Sequence, residues 1–263
     1  MNDLIAEPFV MDQPEPHEDV TTIGNVGFYH RLQQGCDEWL MLRMGMITAS
    51  EFVKLITTTL KIANNETSRN YIYELAAQRM NPVIEPHYMN FDMERGHTEE
   101  VLAKMVYARE LSKVDDCGFI VNTKLGLKVG CSPDGLVGDD GMIEVKSRAN
   151  KLQIKTIVEG FDCDLIDTDS AEISVPKQFM LQIQAQLWVS GRDWCDFISY
   201  SNGLNMIITR VYPDHEYFDV IEAAAISTEK RIAETIDQVN DALKKTGRWY
   251  PVEYYNHHED IKV

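Results

Sequence analysis

The stretch from Pro133 to Lys146 constrains this chain more than any other. It holds Pro133-Asp134-Gly135, a Gly138-Asp139-Asp140-Gly141 turn, and then Glu144-Val145-Lys146. Gly and Asp tolerate the backbone angles of tight reversals. A reversal centred near Asp139 brings residue 144 back beside residue 134. Strand alternation puts Glu144 and Lys146 on one face and Val145 on the other. Asp134 and Glu144 then converge on one point, with the Lys146 amine a step away. Two hard oxygen ligands and a cation are what Mg²⁺-dependent phosphodiester cleavage needs: the metal clamps phosphate and acidifies a water, and the ammonium meets developing charge. An acid-turn-acid hairpin is also an ordinary solvated surface feature, so the rest of the chain has to decide.

A formal charge of −17 runs against a phosphate-rich partner at first sight. Its distribution changes that reading. Residues 1–30 carry six acids and no Lys or Arg, and residues 159–172 carry six more, again without a base. Those stretches hold −12 of the −17, leaving about −5 elsewhere. Lys146, Arg148, Lys151 and Lys155 follow the hairpin directly, which suits a locally basic groove on an acidic protein. The five cysteines are scattered without a C-x-x-C, so no zinc ribbon, iron–sulfur cluster or disulfide framework is expected. No run approaches a membrane span, and Met1 to Val20 lacks the basic start and apolar core of a signal peptide. A reducing cytoplasm fits best, and no membrane partner is expected. The seven histidines show no metal spacing, and H-E-x-x-H, P-loop and G-x-S-x-G motifs are missing.

The 263 residues suit one large domain. Residues 1–27 read as a flexible lead with Pro8, Pro14 and Pro16. A short helix through Trp39, Leu40, Leu42 and Arg43 ends at Gly45. Thr48 and Glu51 have the spacing of a capping box ahead of a second helix. Residues 68–80 are helical, closed by Pro82. Residues 97–111 form an amphipathic helix with Val101, Leu102, Met105, Val106 and Leu111 on the side expected to be buried. Strands follow at 118–123, 127–132 and 142–146, a helix near 150–158, a helix from Lys177 to Ser190, strands at 194–200 and 205–212, and a long helix over 215–245 with an Ile232, Ile236, Val239, Leu243 core stripe. The order predicts an α/β fold: a mixed central β-sheet flanked by helices.

Three further positions could complete a site. Arg43 ends one helix and Ser50 opens the next, where free N–H groups and the helix dipole favour an anion. A capped helix beside a surface arginine fits the same residues. Glu100 follows Gly96 at the start of a helix, where Glu99 could meet the dipole equally well. Gln178, Gln182 and Gln186 share a helix face opposite Phe179, Ile183, Leu187 and Trp188. Such a stripe is either a neutral solvated face or the lining of a wet site that orients a water.

These pieces, in this order, resemble the phage lambda exonuclease family, the YqaJ-type viral recombinases of the PD-(D/E)xK nuclease superfamily, over about residues 34–246. The resemblance rests on Gly35, Trp39, Leu42-Arg43, Gly45 and Ile47-Thr48-Ala49-Ser50, then on Gly96 to Glu100, Ser132-Pro133-Asp134-Gly135, Glu144-Val145-Lys146, and Gln182, Gln184 and Trp188. It implies a restriction-endonuclease-like core in a single nuclease domain over 31–247, between a flexible acidic extension at 1–30 and a tail at 248–263. It implies that Asp134, Glu144 and the Val145 carbonyl hold one Mg²⁺, that Glu100 helps hold a second, and that Mn²⁺ substitutes. Lys146 would assist the attacking water, Gln182 would position it, and Arg43 and Ser50 would hold the 5′ phosphate. The implied activity is 5′→3′ digestion of one strand of linear double-stranded DNA to mononucleotides, by a homotrimeric ring acting at DNA ends with a single-strand annealing protein. An endonuclease of the same fold, acting in repair or restriction, shares the cutting residues and needs no end pocket. The acidic loop 159–172 and the stretches before residue 31 and after Gly247 have no clear family counterpart.

Overall fold

Pro133 lacks the N–H that a strand interior needs, and the chain changes sheets there. The computed structural model describes residues 20–84, 91–161, 173–247 and 249–252. In place of one central sheet it has two mixed ones. The first takes the order β1 (Val20–Ile23), β2 (Val26–Tyr29), β4 (Phe119–Asn122), β5 (Val129–Cys131) and β3 (Ile47–Thr48), with β3 parallel to β5. The second runs β6 (Gly135–Val137), β7 (Gly141–Ser147), β8 (Trp194–Tyr200) and β9 (Ile207–Val211). β7 and β8 are parallel, so the chain between them crosses over through α5 (Asn150–Gly160) and α6 (Lys177–Ser190).

The expected reversal is a hairpin, with Gly135 opposite Ile143 and Val137 opposite Gly141. Gly138 takes the left-handed angle that its turn requires (φ +57°). Arg192 Nη1 donates to the carbonyls of Gly138 and Gly141, both at 2.8 Å, and so clamps the two ends of the turn.

β7 is buried on both sides, as a parallel-paired strand is. On one side Met142, with Cys195 and Phe197, joins the core of α6 and α7 (His215–Thr246) through Ile183, Leu187 and Ile221. On the other, Ile143, Val145 and Ile198 pack on Ala103 and Tyr107 of α4 (Phe91–Glu110). Tyr107 donates to Asp196 at 2.6 Å, and Arg210 meets the same carboxylate with two bonds of 2.7 and 2.9 Å. This network, buried at Tyr107 and Asp196, ties α4 to β8 and β9.

Four expectations are corrected. Residues 20–29, read as part of an irregular lead, form a hairpin that pairs with β4; residues 1–19 lie outside the described residues. The stripe assigned to the buried side of α4 faces outward, with Val101, Met105 and Leu111 all more than half exposed. Ala103 and Tyr107 take the buried face instead, because a small residue lets the helix approach the strand and Tyr107 needs its partner Asp196. On α7 the stripe is buried at Ile232 and partly at Ile236, but Val239 is exposed beyond the reach of the core. Thr48 accepts no capping bond, and the first turn after it is a 3₁₀ turn (Ala49–Glu51) leading to a single-turn α2 (Phe52–Leu55). The capping box belongs to α3 (Glu66–Met80), where Ser68 N–H donates to Asn65 Oδ1 at 2.9 Å and Asn65 N–H to Ser68 Oγ at 3.1 Å.

Tyr107→Phe is expected to lower the unfolding free energy by roughly 1–3 kcal/mol, the range for a buried hydrogen bond to a charged group. Urea denaturation measures it.

Candidate active site

The hairpin register, extended by one residue, sets Asp134 opposite Glu144. Asp134 N–H donates to the Ile143 carbonyl at 3.2 Å, and its Oδ2 accepts from Val145 N–H at 2.5 Å. The Val145 side chain points into the α4 core, as alternation requires.

Glu144 is only 2% exposed. A buried carboxylate needs donors on both oxygens. Oε1 receives Lys146 Nζ at 2.5 Å and Gln182 Nε2 at 2.7 Å. Oε2 receives Gln186 Nε2 at 2.7 Å. Lys146 also donates to Gln182 Oε1 at 3.1 Å, closing a ring of Glu144, Lys146 and Gln182. The Gln182–Gln186 part of the stripe is therefore the lining of the site, whereas Gln178 is exposed. Phe179 belongs to the site side too: Lys146 Nζ lies 5.5 Å and Arg148 Cζ 5.1 Å from its ring centroid. Gln184 does a different job, bonding the Tyr212 carbonyl and the Asp214 N–H and so tying α6 to the start of α7.

Charge is concentrated here. The Asp134 carboxyl is pushed well above the usual carboxylate range, first by loss of water and then by the like charges of Glu144 and Glu100. Lys146 and the Val145 N–H oppose the rise. Glu100 is raised by burial, Lys104 opposes this, and Glu144 raises it further. Burial lowers the Lys146 ammonium, but Glu144 outweighs it and the net shift is upward, so this lysine is charged at neutral pH.

Glu100 therefore stands close enough to feel the acid pair, with Lys104 3.7 Å from it. Glu99 is distinct: it is buried and accepts from Ser147 Oγ at 2.6 Å, pinning α4 to the end of β7. Among the described residues no three His, Cys, Asp or Glu side chains form a ready-made metal cage. The donors nonetheless suit a hard divalent cation in kind: Asp134, Glu144 and Glu100 are oxygen ligands whose mutual repulsion a cation relieves. A cation at Glu144 would share the carboxylate with Lys146 and the two amides.

Arg43 and Ser50 meet across a cleft of about 50 Å³, lined also by Trp39, Thr48, Ser132, Gln182 and Gln186. The cleft thus runs from Arg43 to the side chains that hold Glu144. The Arg43 guanidinium lies 4.2 Å from the Trp39 ring centroid. Burial lowers its pKa, with Glu51 opposing. Because α2 is so short, an anion here would be met by side chains rather than by a helix dipole. Sequence reasoning named Ser132 and Gln186 within their motifs but assigned neither a role of its own. Ser132 Oγ accepts from Trp39 Nε1 at 3.1 Å, and Gln34 Nε2 donates to the Pro133 carbonyl at 3.1 Å, so the sheet junction is held from the Arg43 side. For Ser132 the signal was its place in the Ser-Pro-Asp-Gly string; for Gln186 it was the four-residue spacing from Gln182.

The YqaJ-like viral recombinase domain matches residues 38–193, which span the cleft and the acid hairpin. The chain belongs to this family. Among solved structures, an alkaline exonuclease from Laribacter hongkongensis is similar, with 28% identity and a TM-score of 0.67 over 80% of this chain and 99% of that one. Its complex with dAMP gives 29% identity and a TM-score of 0.66 over the same shares. A phage-related exonuclease from Haemophilus somnus shares the fold, at 13% identity and a TM-score of 0.53 over 76% of this chain and 99% of that one. No functionally curated protein matches.

Asp134 and Glu100 carry raised carboxyl pKa values in the fold, so the stability linked to them is greatest at low pH and is lost as pH rises through the raised values. In chelator, Asp134→Asn is expected to melt higher than wild type at pH 8, with the gap narrowing as pH falls toward the ordinary carboxylate range. Thermal unfolding across pH checks this. A gap independent of pH contradicts the charge argument.

Proposed function

We propose that the protein is a metal-dependent 5′→3′ exonuclease that starts at the end of linear double-stranded DNA, releases mononucleotides and leaves a 3′ single strand for recombination by annealing. One observation carries it: the Arg43–Ser50 cleft opens onto the side chains that hold Glu144, so an anion site and a cutting centre share one wall. The family match and the two alkaline exonuclease structures support the nuclease class.

In this reading Asp134, Glu144 and the Val145 carbonyl hold one Mg²⁺, with Mn²⁺ as a substitute, and Glu100 helps hold a second. Bound there, the metal polarises the scissile phosphate and supplies a water of lowered pKa. Lys146 meets the charge that develops on the phosphate, as suits an ammonium whose charge Glu144 reinforces. Gln182, with its carbonyl toward Lys146 and its amide toward Glu144, orients the attacking water. Arg43 supplies a forked donor and Ser50 a hydroxyl to the terminal 5′ phosphate. A cut one nucleotide away releases a mononucleotide.

Three copies in a ring around DNA would suit an enzyme that stays on one end. The outward stripe of Val101, Leu102 and Met105 on α4 gives association between copies an apolar surface to bury. A single-strand annealing protein would receive the exposed 3′ strand. Among the described residues no helix is long and apolar enough to cross a membrane, and we place the enzyme in the cytoplasm.

Digestion of end-labelled linear duplexes with 5′-phosphate and 5′-hydroxyl ends tests the proposal. Wild type is expected to favour the phosphorylated end, to need Mg²⁺ or Mn²⁺, and to spare covalently closed circles. Cleavage of circles at an equal rate would establish an endonuclease instead. Lys146→Ala is expected to abolish cleavage while DNA binding changes little, and Arg43→Ala to erase the phosphate preference. Sedimentation decides the trimer.

A further inference from the structure

Gln186 stands apart from the other groups around Glu144. It is 1% exposed, and its amide is the partner of Glu144 Oε2 at 2.7 Å. That contact fixes which way the carboxamide is turned, because a carboxylate takes only the NH₂ end. The carbonyl end, Oε1, is consequently aimed elsewhere and has no hydrogen-bond partner among the described residues. Gln186 also lines the cleft of Arg43, Ser50 and Ser132. Thr48 lines the same cleft.

A buried carbonyl without a partner costs free energy, and one on the wall of a cleft marks a place for something polar. Its roughly 50 Å³ suffice for an ordered water. A phosphate oxygen cannot serve Oε1 directly, since both are acceptors. A water can, giving one hydrogen to Oε1 and the other to a phosphate held by Arg43 and Ser50.

We propose that Gln186 is a positioning residue that couples the seating of a terminal phosphate to the cutting carboxylate. Its two ends are rigidly joined through one planar amide. When the cleft holds a phosphate and its bridging water, Oε1 is satisfied and the amide is locked, so Glu144 is held in one orientation. When the cleft lacks an anion, Oε1 has no partner, as here, and the amide is held at its Glu144 end alone. The end is thus sensed where it binds and reported to the centre that cuts. This rests on the 5′-end reading above and goes beyond it: Gln186 need not touch the DNA.

The test compares initial rates on otherwise identical linear duplexes with 5′-phosphate and 5′-hydroxyl ends, for wild type and Gln186→Met, which keeps the volume and removes both polar ends. Both ends are expected to lose rate, because Glu144 Oε2 loses its donor, and the phosphorylated end to lose about tenfold or more beyond the hydroxyl end, within the range for one hydrogen bond to a charged group. Its phosphate preference collapses while binding of a phosphorylated oligonucleotide persists. Equal loss on both ends would make Gln186 a mere support of Glu144 and overturn the coupling, as would an unchanged preference. If Gln186→Met does not fold by thermal unfolding, Gln186→Asn is read in the same way. Wild-type protein that shows no end preference at all would instead defeat the 5′-end reading.

Discussion

The buried charge of Glu144 is the constraint from which the rest of the structure follows. An ionised carboxylate removed from water costs several kcal/mol unless its oxygens are filled. Here one ammonium and two amides fill them, from two elements only: Lys146 on the same strand, and Gln182 and Gln186 on α6. A helix that must present two amides four residues apart to one carboxylate has little freedom to rotate or slide. That locks α6 on β7, and α6 in turn carries Ile183, Leu187 and Trp188 into the core of the helical side. The site and the fold are stabilised by one contact set, so the site cannot loosen without disturbing the core.

Asp134 shows the opposite balance. It faces the same acids but has one backbone N–H and, among the described residues, no side-chain donor of its own. Its carboxyl is therefore raised. Two carboxylates at one register position, one provided for and one not, make a centre that gains from added positive charge. A hard cation meets that need directly, and Lys146 is already committed to Glu144.

The hairpin was legible because its information is local: Gly and Asp at the turn, alternation on the strand, and a register that follows from both. The crossover helix and β8 were legible for the same reason, with bounds at Lys177, Ser190, Trp194 and Tyr200 that agree with the periodicity. Readings failed where a distant partner decides. Nothing in the apolar stripe of α4 shows that Tyr107 will be claimed by Asp196, 89 positions away. Nothing in Thr48 and Glu51 shows that Asn65 and Ser68 hold the real capping box, or that Lys54 takes Glu51. The glutamine stripe was ambiguous between solvent and site because both need polar residues at helical spacing. Only the buried carboxylate opposite it settles the matter.

Pro133 explains why anion cleft and acid hairpin share a wall. A residue that cannot donate ends β5, and the next two residues start the second sheet one step on. Ser132, before the break, faces Trp39 and the Arg43 side; Asp134, after it, faces Glu144. Two residues of extended chain rise only about 7 Å, so whatever sits by Ser132 is one short step from the acids. Gln34 and Trp39 hold the junction from outside by bonding the Pro133 carbonyl and Ser132 Oγ. A shift of β5 against β6 would therefore change the distance from cleft to acids directly. Under the proposed function, the step from a bound end to the cut bond is thus set by a break in a β-ladder rather than by a flexible loop.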